Sequence, residues 1–143
     1  MKLRENDICF GFLILRLMVG IVFFMAGLFK LLDYMTIVGY FQSSFAETWL
    51  PAFLVTIFAY VLPFAETILG ILIFFGLLTR PALYLAGLLL VVLNFGLIVR
   101  GDGGDAKSNI PYLIIIALDI ILLNYNKYSL DHLLFGMSAD FED

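Results

Sequence analysis

Residues 10–32, FGFLILRLMVGIVFFMAGLFKLL, decide the fold, because they are long enough to cross a bilayer yet contain two cations. A charged group at membrane depth is costly, so Arg16 and Lys30 are expected to face a protein interior. Steps of four and three residues place both cations on one helix face with Gly20, Phe23 and Gly27. The stretch therefore predicts one wall of a helical bundle with a polar interior.

The composition is that of an integral membrane protein. Hydrophobic residues make up 63% of the 143-residue chain and charged residues 14%, against about 45–50% and about 25% in soluble domains. The apolar runs are long and continuous, which indicates helices rather than the short alternating strands of an outer-membrane barrel. There is no basic cluster, so no nucleic-acid partner is expected.

Four apolar runs predict an all-α, four-helix transmembrane bundle that forms a single domain over residues 1–143. The spans are expected at about 10–32, 53–78, 82–99 and 110–125. The connection between the first two spans, DYMTIVGYFQSSFAETWLP, is rich in aromatic residues, which predicts an interfacial segment at the headgroup boundary. The Gly-rich and charged stretch GDGGDAKSN, at 101–109, predicts a flexible loop.

The expected location is the bacterial inner, or cytoplasmic, membrane, crossed several times. An even number of spans puts both termini on one side. A small excess of Lys and Arg on that side favours cytoplasmic termini under the positive-inside rule.

Few residues could hold a cofactor. Cys9 is the single cysteine and His132 the single histidine, whereas bis-histidine haem, iron–sulfur clusters and all-protein zinc sites need more ligands of these types. We therefore expect this chain alone to bind no cofactor. We expect the ligand of any apolar pocket to be a quinone or a lipid.

Each predicted span contributes polar groups to the bundle interior. Rise along each helix places Arg16 and Asp119 at similar depth, which predicts that they pair, with Glu66 within reach of Arg16. Such a network either fixes helix register or lines a pocket or proton path, and Glu66 is the preferred functional candidate. The candidate network is Arg16, Lys30, Glu66, Asn94 and Asp119.

Three sequence blocks carry a resemblance to a known family. They are RLMVGIVFFMAGLFKL at 16–31, ETILGILIFFGLLTRPA at 66–82 and YSLDHLL at 128–134. In this order they resemble the DoxX family of small four-span membrane proteins. The matching motif residues are Gly20, Gly27, Gly70, Gly76, Thr79, Arg80, Ser129, Leu130 and Asp131.

The resemblance implies a membrane subunit of a quinone-linked redox assembly, similar to the membrane subunit of thiosulfate:quinone oxidoreductase. Two alternatives remain open: a non-catalytic accessory subunit of a larger membrane complex, and a small transporter or channel. Whether the chain is itself an enzyme is left open. The expected partners are membrane lipids and either other membrane protein subunits or further copies of this chain.

Overall fold

The computed structural model describes residues 4–135, and every regular element in that range is helical. The elements are α1 (Glu5–Leu32), α2 (Tyr34–Ser44), α3 (Ala52–Phe75), α4 (Thr79–Val99), α5 (Gly103–Ser108), α6 (Ile110–Ile121), a 3₁₀ turn (Leu123–Tyr125) and α7 (Leu130–Phe135). The predicted all-α class is confirmed for the described residues.

Three helices, α1, α3 and α4, are long and apolar enough to cross a membrane, so the chain is a multi-pass membrane protein. The fourth predicted span, at 110–125, is different. Its helix α6 has 12 residues, about 18 Å at the usual rise, against an apolar bilayer core of about 30 Å. The four-helix transmembrane bundle therefore stays a prediction, and so does the location of both termini on one side.

The most extensive helix contact joins α1 and α3, and glycines make it close. A Cβ atom on Gly70 would lie 2.3 Å from the backbone nitrogen of Phe24, and one on Gly20 would lie 2.7 Å from the backbone of Phe74. Small residues at helix interfaces let backbones approach in this way. The two helices thus hold each other at a fixed register.

A common apolar core lies where α1, α3, α4 and α6 meet. Its largest fully buried members include Phe12 of α1, Ile73 of α3, Leu83 of α4 and Ile116 of α6. The outward faces of the long helices keep large apolar side chains exposed, for example Phe64. This arrangement is expected for helices that meet lipid on one side and protein on the other.

Both connecting segments contain short helices, and only the one at 101–109 is more ordered than the sequence predicts. The expected interfacial segment forms α2, which packs on α3, and its place at a headgroup boundary stays a prediction. The expected flexible loop at 101–109 contains the short helix α5, which packs on α4. Both helices lie at the end of the bundle where α1 and α4 end and α3 and α6 begin.

The α1–α3 contact yields the first prediction. Gly70→Ala should lower stability by about 1–3 kcal/mol, because its methyl group would meet the Phe24 backbone, which cannot move aside without disturbing α1. Thermal unfolding in mild detergent measures the loss.

The matched control is Gly11→Ala, also in a long helix, where a Cβ atom would meet nothing within 4 Å. That variant should unfold at the wild-type temperature or slightly above it. Equal losses in both variants would contradict the close α1–α3 approach.

Candidate functional site

A cavity of about 810 Å³ lies between the C-terminal halves of α1 and α4, the helices α2 and α3, and the start of α6. Its volume falls within the range of about 300–1,000 Å³ that small-molecule sites usually have. Most of its wall is apolar and aromatic. The side chains in its wall that can hydrogen-bond are Lys30, Tyr40, Glu66, Arg100, Asp105, Ser108, Asn109 and Tyr112.

An ion pair between α1 and α3 forms one polar part of the cavity wall. Lys30 Nζ donates to both carboxylate oxygens of Glu66, at 2.6 and 2.5 Å. The Glu66 side chain is 5% exposed and that of Lys30 24%. An ammonium group has three donors, so Lys30 keeps one donor beyond this pair. The charge of each residue is compensated where it meets the cavity.

Arg100 forms a second polar part of the wall, at the C-terminal end of α4. Its Nη1 donates to the Tyr40 hydroxyl at 3.0 Å, and its Nη2 pairs with Asp102 and lies 3.9 Å from an Asp105 oxygen. The guanidinium carbon also lies 5.4 Å from the centre of the Tyr40 ring and 6.0 Å from that of Phe45. Arg100 thereby links α2, α4 and the segment around α5.

Arg16 is held by the chain that follows the 3₁₀ turn. Its Nη1 donates to the Asn126 side-chain oxygen at 2.7 Å, and its Nη2 donates to the Tyr128 backbone carbonyl at 2.8 Å. The guanidinium is buried, so both hydrogen bonds are formed away from bulk water. Arg16 therefore anchors the C-terminal segment to α1.

Asp131 fixes the same segment to the turn between α3 and α4. Its carboxylate accepts the backbone N–H groups of Leu78 and Thr79, at 2.7 and 2.8 Å, and the Thr79 hydroxyl at 2.8 Å. The turn needs this support because Leu78 has a left-handed φ of 47°. Gly76 has a φ of 67°, and a Cβ there would lie 2.4 Å from Arg16 Nη1. We call Arg16, Gly76, Thr79, Asn126 and Asp131 the tail cluster.

Three further residues of the predicted motif, Arg80, Ser129 and Leu130, lie next in sequence to members of the tail cluster or one residue beyond them. The Ser129 hydroxyl donates to the Asn126 carbonyl and accepts the backbone N–H of His132, so it caps α7, which Leu130 begins. Arg80 lies in the first turn of α4. Nearby, the hydrogen bond and the negative charge of Glu5 raise the pKa of the exposed Lys127 ammonium.

Two parts of the predicted charge pairing differ from the structure. The placement of Glu66 near Arg16 is wrong, and the predicted Arg16–Asp119 pair has no hydrogen bond. Glu66 pairs with Lys30 and not with Arg16, since the two cations lie fourteen residues apart on α1, about 21 Å. Asp119 is near enough to Arg16 to interact electrostatically, but neither carboxylate oxygen has a hydrogen-bond partner within residues 4–135. Asn94 accepts a hydrogen bond from Asn109 at 2.9 Å.

The predicted polar network thus divides into separate groups. Lys30 and Glu66 belong to the cavity, Arg16 belongs to the tail cluster, and Asn94 joins α4 to the start of α6. Sequence reasoning missed the part that Arg100 plays in the cavity wall. The available signal was the acidic pair Asp102 and Asp105, which follows Arg100 within five residues.

Comparison with known proteins identifies a family. The family described as "Methylamine utilisation protein MauE" matches residues 9–107. The chain is also 34% identical over 113 residues to a Bacillus subtilis (strain 168) protein named "Putative oxidoreductase CatD". The aligned region covers 79% of this chain and 72% of that protein. No solved structure matches the chain.

The match to MauE overturns the predicted membership of the DoxX family. The analogy with the membrane subunit of thiosulfate:quinone oxidoreductase depended on that resemblance and falls with it. The glycines of the three blocks are explained by the α1–α3 contact and the tail cluster, and their polar motif residues by the hydrogen bonds of the tail cluster.

The tail cluster yields a prediction for Asp131. Asp131→Ala should lower stability by about 1–3 kcal/mol, because it removes a charged acceptor from the Leu78 and Thr79 N–H groups. Thermal unfolding in detergent measures the effect, and Glu47→Ala, which removes an exposed carboxylate elsewhere, serves as the control. The account of the turn fails if the two variants unfold at the same temperature.

A second prediction concerns the order of effects at Arg16 and Asp119. Arg16→Leu should cost about 3–5 kcal/mol, because it strands the buried Asp119 and removes the donor from two acceptors. Asp119→Asn should cost clearly less, since Arg16 keeps its hydrogen bonds to the tail. Chemical unfolding of both variants tests this order, and the reverse order would show that Asp119 is the main partner of Arg16.

Proposed function

The chain belongs to the MauE family of membrane proteins, and we propose that it is the membrane subunit of a quinone-linked redox assembly. One observation carries this proposal: a large apolar cavity whose wall contains the compensated Lys30–Glu66 ion pair. The Bacillus subtilis relative, which carries the name "Putative oxidoreductase CatD", supports the redox link. The proposed partners are other membrane protein subunits in a bacterial cytoplasmic membrane.

The residues around the cavity suit a quinone in size and chemistry. Apolar and aromatic side chains from α1, α2, α3 and α4 offer a surface for a ring and the start of an isoprenoid tail. Lys30 has one N–H donor beyond the two that bind Glu66, and a quinone carbonyl oxygen would accept a hydrogen bond from it. Sites of this kind combine an apolar wall with a few polar groups that orient the ligand.

Lys30 and Glu66 have distinct roles in this proposal. The Lys30 ammonium orients the ligand through a hydrogen bond and stabilises negative charge on its oxygen. The Glu66 carboxylate is buried and in direct contact with Lys30, and it is a proton acceptor in the same cavity wall. A bound quinone would supply two-electron, two-proton carrier chemistry, with its electrons from a redox centre on a partner subunit and its protons from solvent, passed to the ring oxygen through the Glu66 carboxylate.

The test is the quinone content of the protein purified from native membranes in mild detergent, measured by mass spectrometry of extracted small molecules. We expect wild-type protein to retain quinone in near-equal molar amount. The double variant Lys30→Met/Glu66→Gln should retain about tenfold less, because one charge-assisted hydrogen bond is lost. Replacing both residues leaves neither charge stranded in the interior.

Glu47→Gln, an exposed carboxylate outside the cavity wall, is the control and should retain the wild-type amount. Wild-type protein without quinone, or a double variant that retains as much as the control, contradicts the proposal. A large partner complex recovered without any quinone would instead favour an accessory subunit.

A further inference from the structure

The cavity has an apolar opening on the outer surface of the bundle. Wall residues of the cavity interior, such as Phe23 and Leu90, are 4% and 6% exposed, so facing the cavity alone leaves a side chain nearly inaccessible. Other apolar wall residues are 50–58% exposed and therefore also face outward. They lie on α3 and α4, and we call them the lateral opening: Leu54, Ile57, Val61, Val92 and Phe95.

The lateral opening lies within the apolar length of two helices that are long enough to cross a membrane. Ile57 and Val61 lie about 8 and 14 Å from the start of α3, and Val92 and Phe95 lie about 10 and 6 Å from the end of α4. These helix ends are neighbours, because the Trp49 ring, just before α3, lies 6.2 Å from the Phe95 ring. The opening therefore faces the lipid tails of the bilayer.

The rest of the cavity wall offers no comparable apolar exit. The α1–α3 side is joined by the ion pair described above. The Tyr34 hydroxyl of α2 donates to the Tyr60 carbonyl of α3 at 3.0 Å, and Arg100 joins α2 to α4. The exposed wall residues of α5, Asp105 and Ser108, are polar. A hydrocarbon chain that extends out of the cavity therefore fits the lateral opening.

We propose that the lateral opening admits the ligand from the bilayer and holds its hydrocarbon tail. The ligand is then a membrane-resident quinone with an isoprenoid tail, and not a short-chain, water-soluble quinone. This inference rests on the proposed function and specifies both its ligand and the route of entry.

The depth of the ion pair favours the tail of a quinone over that of a phospholipid. Glu66 lies fourteen residues after the start of α3, about 21 Å along the axis and near the middle of this 24-residue helix. A charged headgroup at that depth is costly, and Glu66 already compensates Lys30. An uncharged ring reaches the ion pair without this cost, while its tail stays in the lateral opening.

Two compounds with the same ring system test the lateral opening. The first, 2,3-dimethyl-1,4-naphthoquinone, has no tail, and the second, 2-methyl-3-geranyl-1,4-naphthoquinone, carries an isoprenoid tail. Saturable quenching of Trp49 fluorescence in phosphatidylcholine nanodiscs measures binding, because Trp49 is the single tryptophan and contacts Phe95. Concentrations are expressed per lipid, which removes the difference in partitioning into the bilayer.

The double variant Ile57→Phe/Val92→Phe narrows the opening from both helices. It should weaken binding of the geranyl compound about tenfold, because added bulk in an occupied apolar contact is costly. Binding of the tailless compound should stay unchanged. The control Ile68→Phe/Val91→Phe makes the same exchanges at exposed positions of α3 and α4 outside the cavity wall. It should bind both compounds as wild type does.

Photolabelling of wild-type protein tests the same point without any substitution. The geranyl compound with a diazirine at the end of its tail should label the lateral opening, at 54–61 or 92–95. Excess tailless compound should suppress this labelling, since both compounds compete for one cavity. Suppressible labelling that falls only on α2 or α5 overturns the lateral opening.

The contrary binding results have distinct meanings. The lateral opening is overturned, while the quinone site stands, if Ile57→Phe/Val92→Phe affects both compounds equally or neither, or if the control weakens geranyl binding as much. Absence of saturable quenching by either compound in wild type overturns the site and this inference together. Weaker binding of both compounds when phosphatidylglycerol replaces part of the phosphatidylcholine indicates a phospholipid occupant and overturns the quinone tail.

Discussion

Helix α1 carries two cations about 21 Å apart, and each needs its own compensation because a bare charge is costly inside an apolar bundle. Lys30 obtains it from Glu66 on the neighbouring α3. Arg16 obtains it from a side-chain oxygen and a backbone carbonyl of the C-terminal segment. The two solutions create two different polar regions, one in the cavity wall and one that ties the end of the chain to its first helix.

Close approach of α1 and α3 is what allows the ion pair to form. A Cβ on Gly27, one turn before Lys30, would lie 2.4 Å from the Thr67 hydroxyl oxygen, next to Glu66. Gly20 and Gly70 extend the same contact along the two helices. The short helices α2 and α5 pack on α3 and α4 at one end of the bundle, and the space between these helices is the partly open cavity whose wall includes the ion pair.

The sequence was sufficient for the class of the protein, its helical structure and three of its spans, because long apolar runs with few charges have few other solutions. It also identified Lys30 and Glu66 as interior polar residues, but it placed Glu66 within reach of Arg16, whereas Glu66 pairs with Lys30. Depth along separate helices does not give the register between α1 and α3, which is set by the close approach of Gly27 to Thr67 and of Gly20 to Phe74.

Arg100 was missed as a cavity residue for a related reason. Its partner Tyr40 lies 60 residues away in the sequence, in a segment that reads as an interfacial stretch, and only folding brings the two together. The family resemblance failed because glycines spaced along apolar helices recur wherever such helices pack closely. Fold-level likeness of that kind says little about function, which depends on the groups in the cavity.

The most direct test of this account is a pair of double-mutant cycles on stability, one for Lys30 with Glu66 and one for Arg16 with Glu66. The account predicts a coupling free energy of about 0.5–3 kcal/mol for Lys30 with Glu66, as for residues in contact. It predicts additivity within about 0.5 kcal/mol for Arg16 with Glu66, as for independent sites. Strong coupling of Glu66 to Arg16, with none to Lys30, would contradict the separation of the cavity from the tail cluster.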